Sequence, residues 1–414
     1  MKISLLTIGD ELIFGEIVDG NAARIGRRLH GAGLKAVRCL TVGDHEQDIV
    51  DAILFLAECS DAVIITGGLG PTSDDMTARA AARATGRRLM LNEEALASLK
   101  AFCAGLEGDI HPLNDKQALL PAKAEVIPNP IGTACGFRLL HNGKHLIFMP
   151  GVPEEMGLML DTQVMPFLLE RFRPSSREMV WVFKVFGLSE PQVEELVTAA
   201  VGGPVPGLAL AYCVDFPEIQ VKLRFSGEIC DLDDAGREEI LDRVRRSLGA
   251  ALVTEGDQSI DQVVAALFRT KGKTLALAES CTGGLIAKRI TDLPGSSAYF
   301  REGLVTYADE AKIRYLDLPR ELLQSKGAVS METARAMAWG ARRRSGCDLA
   351  LAVTGIAGPD GGTEAKPVGT VFIAIADQGG CVAKGFRFTG DREKIRTMTA
   401  YTAMDWLRRR LMSY

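Results

Sequence analysis

Between residue 2 and about residue 170, short runs of apolar and β-branched residues alternate with stretches whose apolar positions recur every three or four residues. This is the pattern of a sheet covered by helices. Residues 2–8 read as a first strand. Asp19 or Asn21 can cap a helix that carries Ile25 and Leu29 on one face and stops at Gly31 or Gly33. Residues 36–42 read as a second strand, and residues 61–66, nearly all apolar, as a third one covered on both faces.

The texture changes at Phe172-Arg173-Pro174-Ser175-Ser176, a polar connection bearing a proline. A strand at 180–186, a helix at 190–200, a strand at 219–225 and a charged helix at 234–248 then make a small α+β module without obvious chemistry. A helix at 257–268 leads into a strand at 274–278, and a second α/β domain follows, with strands at 303–307, 349–354 and 369–375. The expected division is 1–170, 171–255 and 256–414. No short internal repeat or low-complexity tract interrupts it.

Composition narrows the class. The chain has 414 residues, 47% hydrophobic and 24% charged, as a folded enzyme of two or three domains would. Its first apolar run meets Gly9-Asp10-Glu11 before reaching signal-peptide length, and no later run approaches a membrane span, so a cytoplasmic protein without membrane contact is expected. Nine scattered cysteines with no Cys-x-x-Cys pair argue against disulfides and a cysteine zinc site. A net charge of −5 supplies no field for nonspecific nucleic-acid binding, so any phosphate must be held locally.

Chemistry concentrates where strands end. In Ala278-Glu279-Ser280-Cys281-Thr282-Gly283-Gly284 an apolar strand stops and a helix begins. A serine there can attack a carbonyl while the helix N-terminus stabilises an oxyanion or a phosphate; a plain cap on a βα turn is the competing reading. A second loop, Val353-Thr354-Gly355-Ile356-Ala357-Gly358-Pro359-Asp360-Gly361-Gly362, could bring N–H groups to a phosphate or be a mobile hairpin. All five histidines (30, 45, 111, 141 and 145) precede residue 146, so the C-terminal domain cannot build a Ser-His-Asp triad or a Cys-His pair from its own residues. Lys312 is then the candidate base for Ser280, provided burial lowers its pKa from about 10.4; otherwise it is a solvated lysine on an acidic helix. Cys281 reads as an ordinary buried thiol, since no histidine is at hand to hold a thiolate.

In the first domain, Thr66-Gly67-Gly68-Leu69-Gly70-Pro71-Thr72-Ser73-Asp74-Asp75 follows the third strand. Glycines that can cradle phosphate beside aspartates that can hold a hard divalent cation suit phosphoanhydride chemistry; capping of the next helix by Asp74 or Asp75 is the alternative. Asp10, Glu11 and Asp44 would emerge at the same sheet edge if the strands run parallel. Gly272-Lys273-Thr274 lacks the glycine-rich loop of a P-loop, and Gly31 to Ala36 lies in the wrong order for a dinucleotide fingerprint.

Together these loops resemble the competence/damage-inducible CinA family, with further similar segments at Gly43-Asp44, Asn129 to Ala134, Pro150-Gly151-Val152-Pro153, Gly295 to Phe300 and Ala328-Val329-Ser330. The resemblance runs nearly end to end. It implies a multi-domain α/β protein: a MoaB/MogA-like, molybdopterin-binding-like domain, a KH-like connecting module, and a C-terminal nicotinamide-nucleotide amidase that converts nicotinamide mononucleotide (NMN) to nicotinic acid mononucleotide and ammonia without a cofactor. By that resemblance Ser280 is the nucleophile, Lys312 the proposed base, and Tyr307, Thr354 and Ser297 further functional positions. Thr282, Gly283, Gly284, Gly355 and Gly358 would line the substrate, with Arg392 or Arg396 on its phosphate. In the first domain it implies ADP-ribose pyrophosphatase activity with a magnesium- or cobalt-type ion on Asp74, Asp75 and Asp44 and substrate along Gly67, Gly68 and Gly70, or else a non-catalytic nucleotide- or pterin-binding module. It also implies a homodimer. Cys135 and Val152 stand where the family often has proline, which touches the first domain only. The connecting module has no Gly-x-x-Gly clamp, so RNA is not expected as a partner.

Overall fold

The computed structural model describes residues 2–104, 112–172, 179–226 and 232–414. The polar connection at 173–176 and His111 fall outside them. Residue contacts cluster into two compact units, Met1–Glu178 and Met179–Tyr414.

In the first unit, β1 (Ile3–Ile8), β2 (Ala36–Val42) and β3 (Ala62–Thr66) form half of a six-stranded sheet. A small ribbon of β4 (Leu89–Leu91) with β5 (Leu119–Pro121) stands apart from it. The main sheet is completed by β6 (Glu125–Ile127), β7 (Gly136–His141) and β8 (Lys144–Met149), in the order β2-β1-β3-β8-β7-β6. β2, β1, β3 and β8 run parallel, so their C-terminal ends share one edge; β7 and β6 are antiparallel. β1 and β3 are buried throughout, as strands flanked by others and covered on both faces should be. The helix Gly20–Gly31 follows its sequence signals: Asp19 Oδ1 accepts the Ala22 N–H at 2.9 Å, and Ile25 and Leu29 are fully buried. The sequence reading did not pick out β6 to β8, although Asn142-Gly143, both at positive φ between β7 and β8, is a strong two-residue hairpin signal.

The second unit holds two sheets. β9 (Met179–Val185), β10 (Leu208–Asp215), β11 (Glu218–Phe225) and β12 (Leu252–Glu255) are antiparallel in the order β10-β11-β9-β12. Ile219, Val221, Leu223 and Phe225 alternate inward against the helices Glu190–Val201 and Asp234–Leu248. The other sheet, β14-β13-β15-β16-β17, is built from β13 (Leu275–Glu279), β14 (Phe300–Val305), β15 (Leu349–Gly355), β16 (Thr370–Asp377) and β17 (Gly380–Arg387). β14, β13 and β15 are parallel, and β16 and β17 return antiparallel. One face presents Leu275, Leu277, Leu349, Leu351 and Val353 to the helix Ile260–Lys271 and the C-terminal helix Arg392–Met412. The other face is nearly all alanine: Ala276, Ala278, Ala350 and Ala352 pack on Leu316, Ala334, Met337 and Ala338.

The C-terminal helix joins the two sheets. The Tyr401 hydroxyl donates to Glu218 at the start of β11, the Tyr401 and Phe186 rings lie 4.5 Å apart, and Arg408 donates to the Ala250 carbonyl at 2.7 Å. Arg408 is buried and neutralised by buried Asp405 at 2.8 Å, while Arg409, on the same carboxylate, reaches solvent. Removing one partner of a buried pair leaves the other charged and desolvated. Asp405→Ala is therefore expected to cost this unit about 3–5 kcal/mol, and Arg409→Ala less than about 1 kcal/mol. All three tryptophans (181, 339 and 406) lie in this unit, so tryptophan fluorescence during urea unfolding reads the difference directly.

Candidate active site

Parallel register builds the site. Glu279 in β13 pairs with Val305 in β14 and Val353 in β15, so the next residue on each strand, Thr306, Ser280 and Thr354, stands level at the C-terminal edge. Backbone bonds hold the row: Ser280 N–H to the Val353 carbonyl at 3.0 Å and Thr306 N–H to the Glu279 carbonyl at 2.8 Å. With strands about 4.8 Å apart and side chains alternating between faces, all three hydroxyls fall on the alanine face. Thr306, not singled out from the sequence, is identified by its place one residue beyond β14, beside Ser280. Thr354 Oγ1 donates to the Ala328 carbonyl at 2.7 Å. The hydroxyls of Thr306 and Thr282 are buried without any hydrogen-bond partner.

Glu279 turns the opposite way. Its buried carboxylate accepts the N–H groups of Gly284, Ile286 and Ala287 at 3.0, 3.2 and 2.8 Å, capping the helix Leu285–Thr291. This corrects one expectation: the helix N-terminus is occupied by Glu279 and does not offer its donors to an oxyanion or a phosphate. Gly283 N–H is likewise spent on the Ser280 carbonyl. Cys281 points into the core beneath this helix, and burial pushes its thiol up to about 12, so it stays protonated at neutral pH.

Lys312 lies on the helix Asp309–Leu316 and is 1% exposed. Its helix mate one turn on, Leu316, packs on the alanine face, so Lys312 comes from the side on which Ser280 stands. Nζ donates to the Tyr307 carbonyl at 3.0 Å and lies 3.5 Å from Asp309 Oδ1; Ser280 is not among its partners. Burial holds its pKa below the ordinary lysine value, and Asp309 opposes that shift. The Tyr307 side chain is 58% exposed and its hydroxyl accepts from Arg392 at 3.0 Å. Arg392 also donates to the Gly358 carbonyl at 2.7 Å, at the surface. Arg396 sits deeper and donates twice to the Thr282 carbonyl, at 2.6 and 3.2 Å, which braces the serine turn.

Two expected positions fall elsewhere. Ser297 is exposed in the short turn Ser296–Ala298 that precedes β14. β14 runs parallel to β13, so a six-residue strand, about 20 Å long, separates Ser297 from the edge where Ser280 stands. The glycine loop after Thr354 joins the antiparallel strands β15 and β16, and the N–H groups of Ile356 and Gly369 close it as a hairpin. Gly355 ends β15 opposite Val371, and Gly358 contributes its carbonyl to Arg392.

In the first unit, the ends of β1, β2, β3 and β8 converge as expected on a cleft of about 390 Å³ lined by Glu11, Asp44, Gly67, Gly68, Gly70, Asp74, Asp75 and Glu155. Gly67 has φ +108°, and a Cβ there would meet the Ile8 carbonyl, so the loop requires glycine. Asp10 and Asp44 each accept the other's backbone N–H, at 3.0 and 2.9 Å. Burial, with Asp10, Glu11 and Asp74 nearby, raises the Asp44 pKa. Asp75 accepts from the Thr72 N–H at 2.9 Å and its hydroxyl at 2.6 Å, inside its own loop; the next helix, Thr77–Ala84, has no side-chain cap. The donors are hard oxygens suited to a divalent ion, yet among the described residues no three acidic, histidine or cysteine side chains close into a metal cage.

Comparison with known proteins agrees with this layout. Residues 4–170 match the model of a probable molybdopterin binding domain and residues 257–411 that of the CinA C-terminal domain. The CinA-like protein of Geotalea uraniireducens is 58% identical, covering 100% of this chain and 98% of its own length. That of Geobacter sulfurreducens is 57% identical and covers 100% of both. Among solved structures, the CinA protein of Thermoplasma acidophilum is 37% identical, covers 40% of this chain and 98% of its own, and has a TM-score of 0.38. With a MoaB/MogA-like first domain and a CinA C-terminal domain in one full-length match, the chain belongs to the CinA family.

Proposed function

We propose that the C-terminal domain hydrolyses the carboxamide of NMN to nicotinic acid mononucleotide and ammonia, with Ser280 as nucleophile and Lys312 as base. The observation that carries this reading is the row Thr306, Ser280, Thr354 facing a lysine buried on the same side of the sheet. A neutral lysine amine keeps two N–H donors for its two present acceptors, the Tyr307 carbonyl and Asp309, and has a lone pair left for the serine proton. Ser280 Oγ bonds to the carboxamide carbon as its proton passes to Lys312. The C–N bond then breaks and ammonia leaves with that proton. Water, deprotonated by the same amine, cleaves the ester and restores Ser280. Arg392, at the surface beside Tyr307, suits the phosphate, because Arg396 is committed to the turn.

Ser280→Ala is expected to abolish ammonia release from NMN in a coupled assay without changing the melting temperature; retained turnover rejects the nucleophile. Lys312→Arg, which remains protonated, should lower kcat by about 10²–10⁴-fold. The wild-type kcat/KM should rise with pH along a limb set by Lys312, below the ordinary lysine range.

Because the folded pKa of Lys312 is lowered, the unfolded chain binds the proton more tightly, and folding carries a penalty that fades as pH rises through the lysine range. Lys312→Met should therefore be inactive and at least as stable as the wild type at pH 7, with the difference shrinking at higher pH. A destabilised Lys312→Met at pH 7, measured by urea unfolding, contradicts this.

The convergence of four strand ends on an acidic, glycine-lined cleft favours a second reading for the first unit: metal-dependent hydrolysis of ADP-ribose, against a module that binds a nucleotide or pterin without turnover. AMP release in the presence of magnesium or cobalt that is lost with a chelator and in Asp75→Ala supports hydrolysis. Calorimetric binding with no AMP supports the module.

A further inference from the structure

The proton that Ser280 must give up has no direct bond to follow to Lys312. The lysine amine is held by the Tyr307 carbonyl at 3.0 Å and by Asp309 Oδ1 at 3.5 Å, and it makes no hydrogen bond to the serine. A general base has to stand within hydrogen-bond reach of the proton it takes, directly or through one intermediary. Thr306 is placed to be that intermediary. It is 1% exposed, and its hydroxyl is buried without a hydrogen-bond partner among the described residues. A buried hydroxyl left unpaired costs free energy, and here it stands beside the nucleophile. Glu279 and Val305 are register partners on β13 and β14, so Ser280 and Thr306, the next residue on each strand, are level. Ala278 and Leu304, two residues earlier, both pack on the alanine face, and the alternation of an extended chain brings Ser280 and Thr306 to that same face. The first sheet of this chain shows that hydroxyls so placed can meet: Thr7 and Thr41 are register partners on parallel β1 and β2, and their hydroxyls lie 2.9 Å apart. Thr306 also immediately precedes Tyr307, whose carbonyl holds the Lys312 amine. Thr354, the third hydroxyl of the row, stands on the opposite side of Ser280 and already donates to the Ala328 carbonyl.

We infer that Thr306 relays the proton between Ser280 and Lys312. A change of χ1 rotamer gives the two hydroxyls the contact that Thr7 and Thr41 already make. As Ser280 Oγ bonds to the carboxamide carbon, its proton passes to Thr306 Oγ1, and the Thr306 proton passes to the lone pair of Lys312 Nζ. The threonine ends as neutral as it began, and the lysine carries the charge. When the C–N bond breaks, Thr306 gives its proton to the leaving nitrogen and takes one back from Lys312, so ammonia departs and the amine is neutral again. The relay rests on the serine–lysine reading above and adds the path that joins the two residues.

The test is ammonia release from NMN by the full-length wild type, Thr306→Val and Thr306→Ser, run beside labelling of the same proteins and of Ser280→Ala with a fluorophosphonate, read by intact mass. In the labelling, Ser280 Oγ bonds to phosphorus, the P–F bond breaks and fluoride leaves, so the serine proton must be removed although no NMN is present. Thr306→Val, the same shape without the hydroxyl, should lower both kcat and the labelling rate by about 10²-fold or more while KM stays within about threefold. Thr306→Ser, which keeps the hydroxyl, should bring both rates back to within about tenfold of the wild type. The melting temperature of Thr306→Val should be no lower than that of the wild type, because no hydrogen bond is lost. If that variant folds poorly, Thr306→Ala carries the same prediction. Rates that stay within about threefold in Thr306→Val, equal losses in Thr306→Val and Thr306→Ser, or a raised KM at unchanged kcat overturn the relay and leave the serine–lysine reading standing. Labelling of Ser280 that depends on the Thr306 hydroxyl, with no ammonia from NMN in the wild type, upholds the relay and overturns only the choice of substrate. Neither ammonia nor labelling in the wild type overturns both.

Discussion

The candidate active site hangs on one buried carboxylate. Glu279 ends β13 in the interior, where an unpaired negative charge would be prohibitive, and it is balanced there by three N–H groups at the positive end of the helix Leu285–Thr291. That bond set fixes the strand-to-helix turn. Because successive residues of an extended chain face opposite ways, holding Glu279 toward the helix obliges Ser280 to face the alanine side. Arg396 grips the turn again through the Thr282 carbonyl. The serine is held through its backbone, by its N–H on the Val353 carbonyl and its carbonyl on the Gly283 N–H, which leaves its hydroxyl available.

Burial then sorts residues that look alike in one dimension. Ser280 and Cys281 are adjacent nucleophiles, but the thiol is packed in a hydrophobic cluster where ionisation is suppressed, while the hydroxyl stands at a strand end among other hydroxyls. Arg392 and Arg396 are one helical turn apart, yet one lies at the surface and the other is consumed by the backbone. A lysine on an acidic helix is ordinarily solvated; Lys312 is buried because Leu316, one turn along, carries that face of the helix onto the sheet.

Periodicity and glycine placement made the parallel cores legible. The helix Gly20–Gly31 announces its cap, and β2 falls where its apolar run lies. What escaped were strands with one face or edge in solvent, such as β10 and β17, whose exposed positions blur the alternation, and also β6 to β8, of which β8 is largely buried between β3 and β7. The candidate site was legible wherever a motif sits at the end of a buried strand. It was illegible wherever placement depends on strand direction: Ser297 shares a motif with Phe300 but lies at the start of β14, and Thr306 carries no motif and lies at the end. The commitment of Glu279 to the helix could not be seen from spacing, since the same residues suit an open anion site.

The bonds of the C-terminal helix also set an order of events in the cell. Tyr401 reaches Glu218 across 183 positions and Arg408 reaches Ala250 across 158, and Ala400, Met404 and Leu407 fill the core of the five-stranded sheet. By the time residue 172 has emerged from the ribosome, every strand of the first sheet is present. The second unit must wait for residues 392–412, some 240 residues later, which at about 5–20 residues per second is on the order of ten to fifty seconds. From the completion of β15 at residue 355 until that helix emerges, the leucine face of β13 and β15 is covered only by the helix Ile260–Lys271, so the nascent second unit, and not the first, is the part of this chain that needs shelter from aggregation.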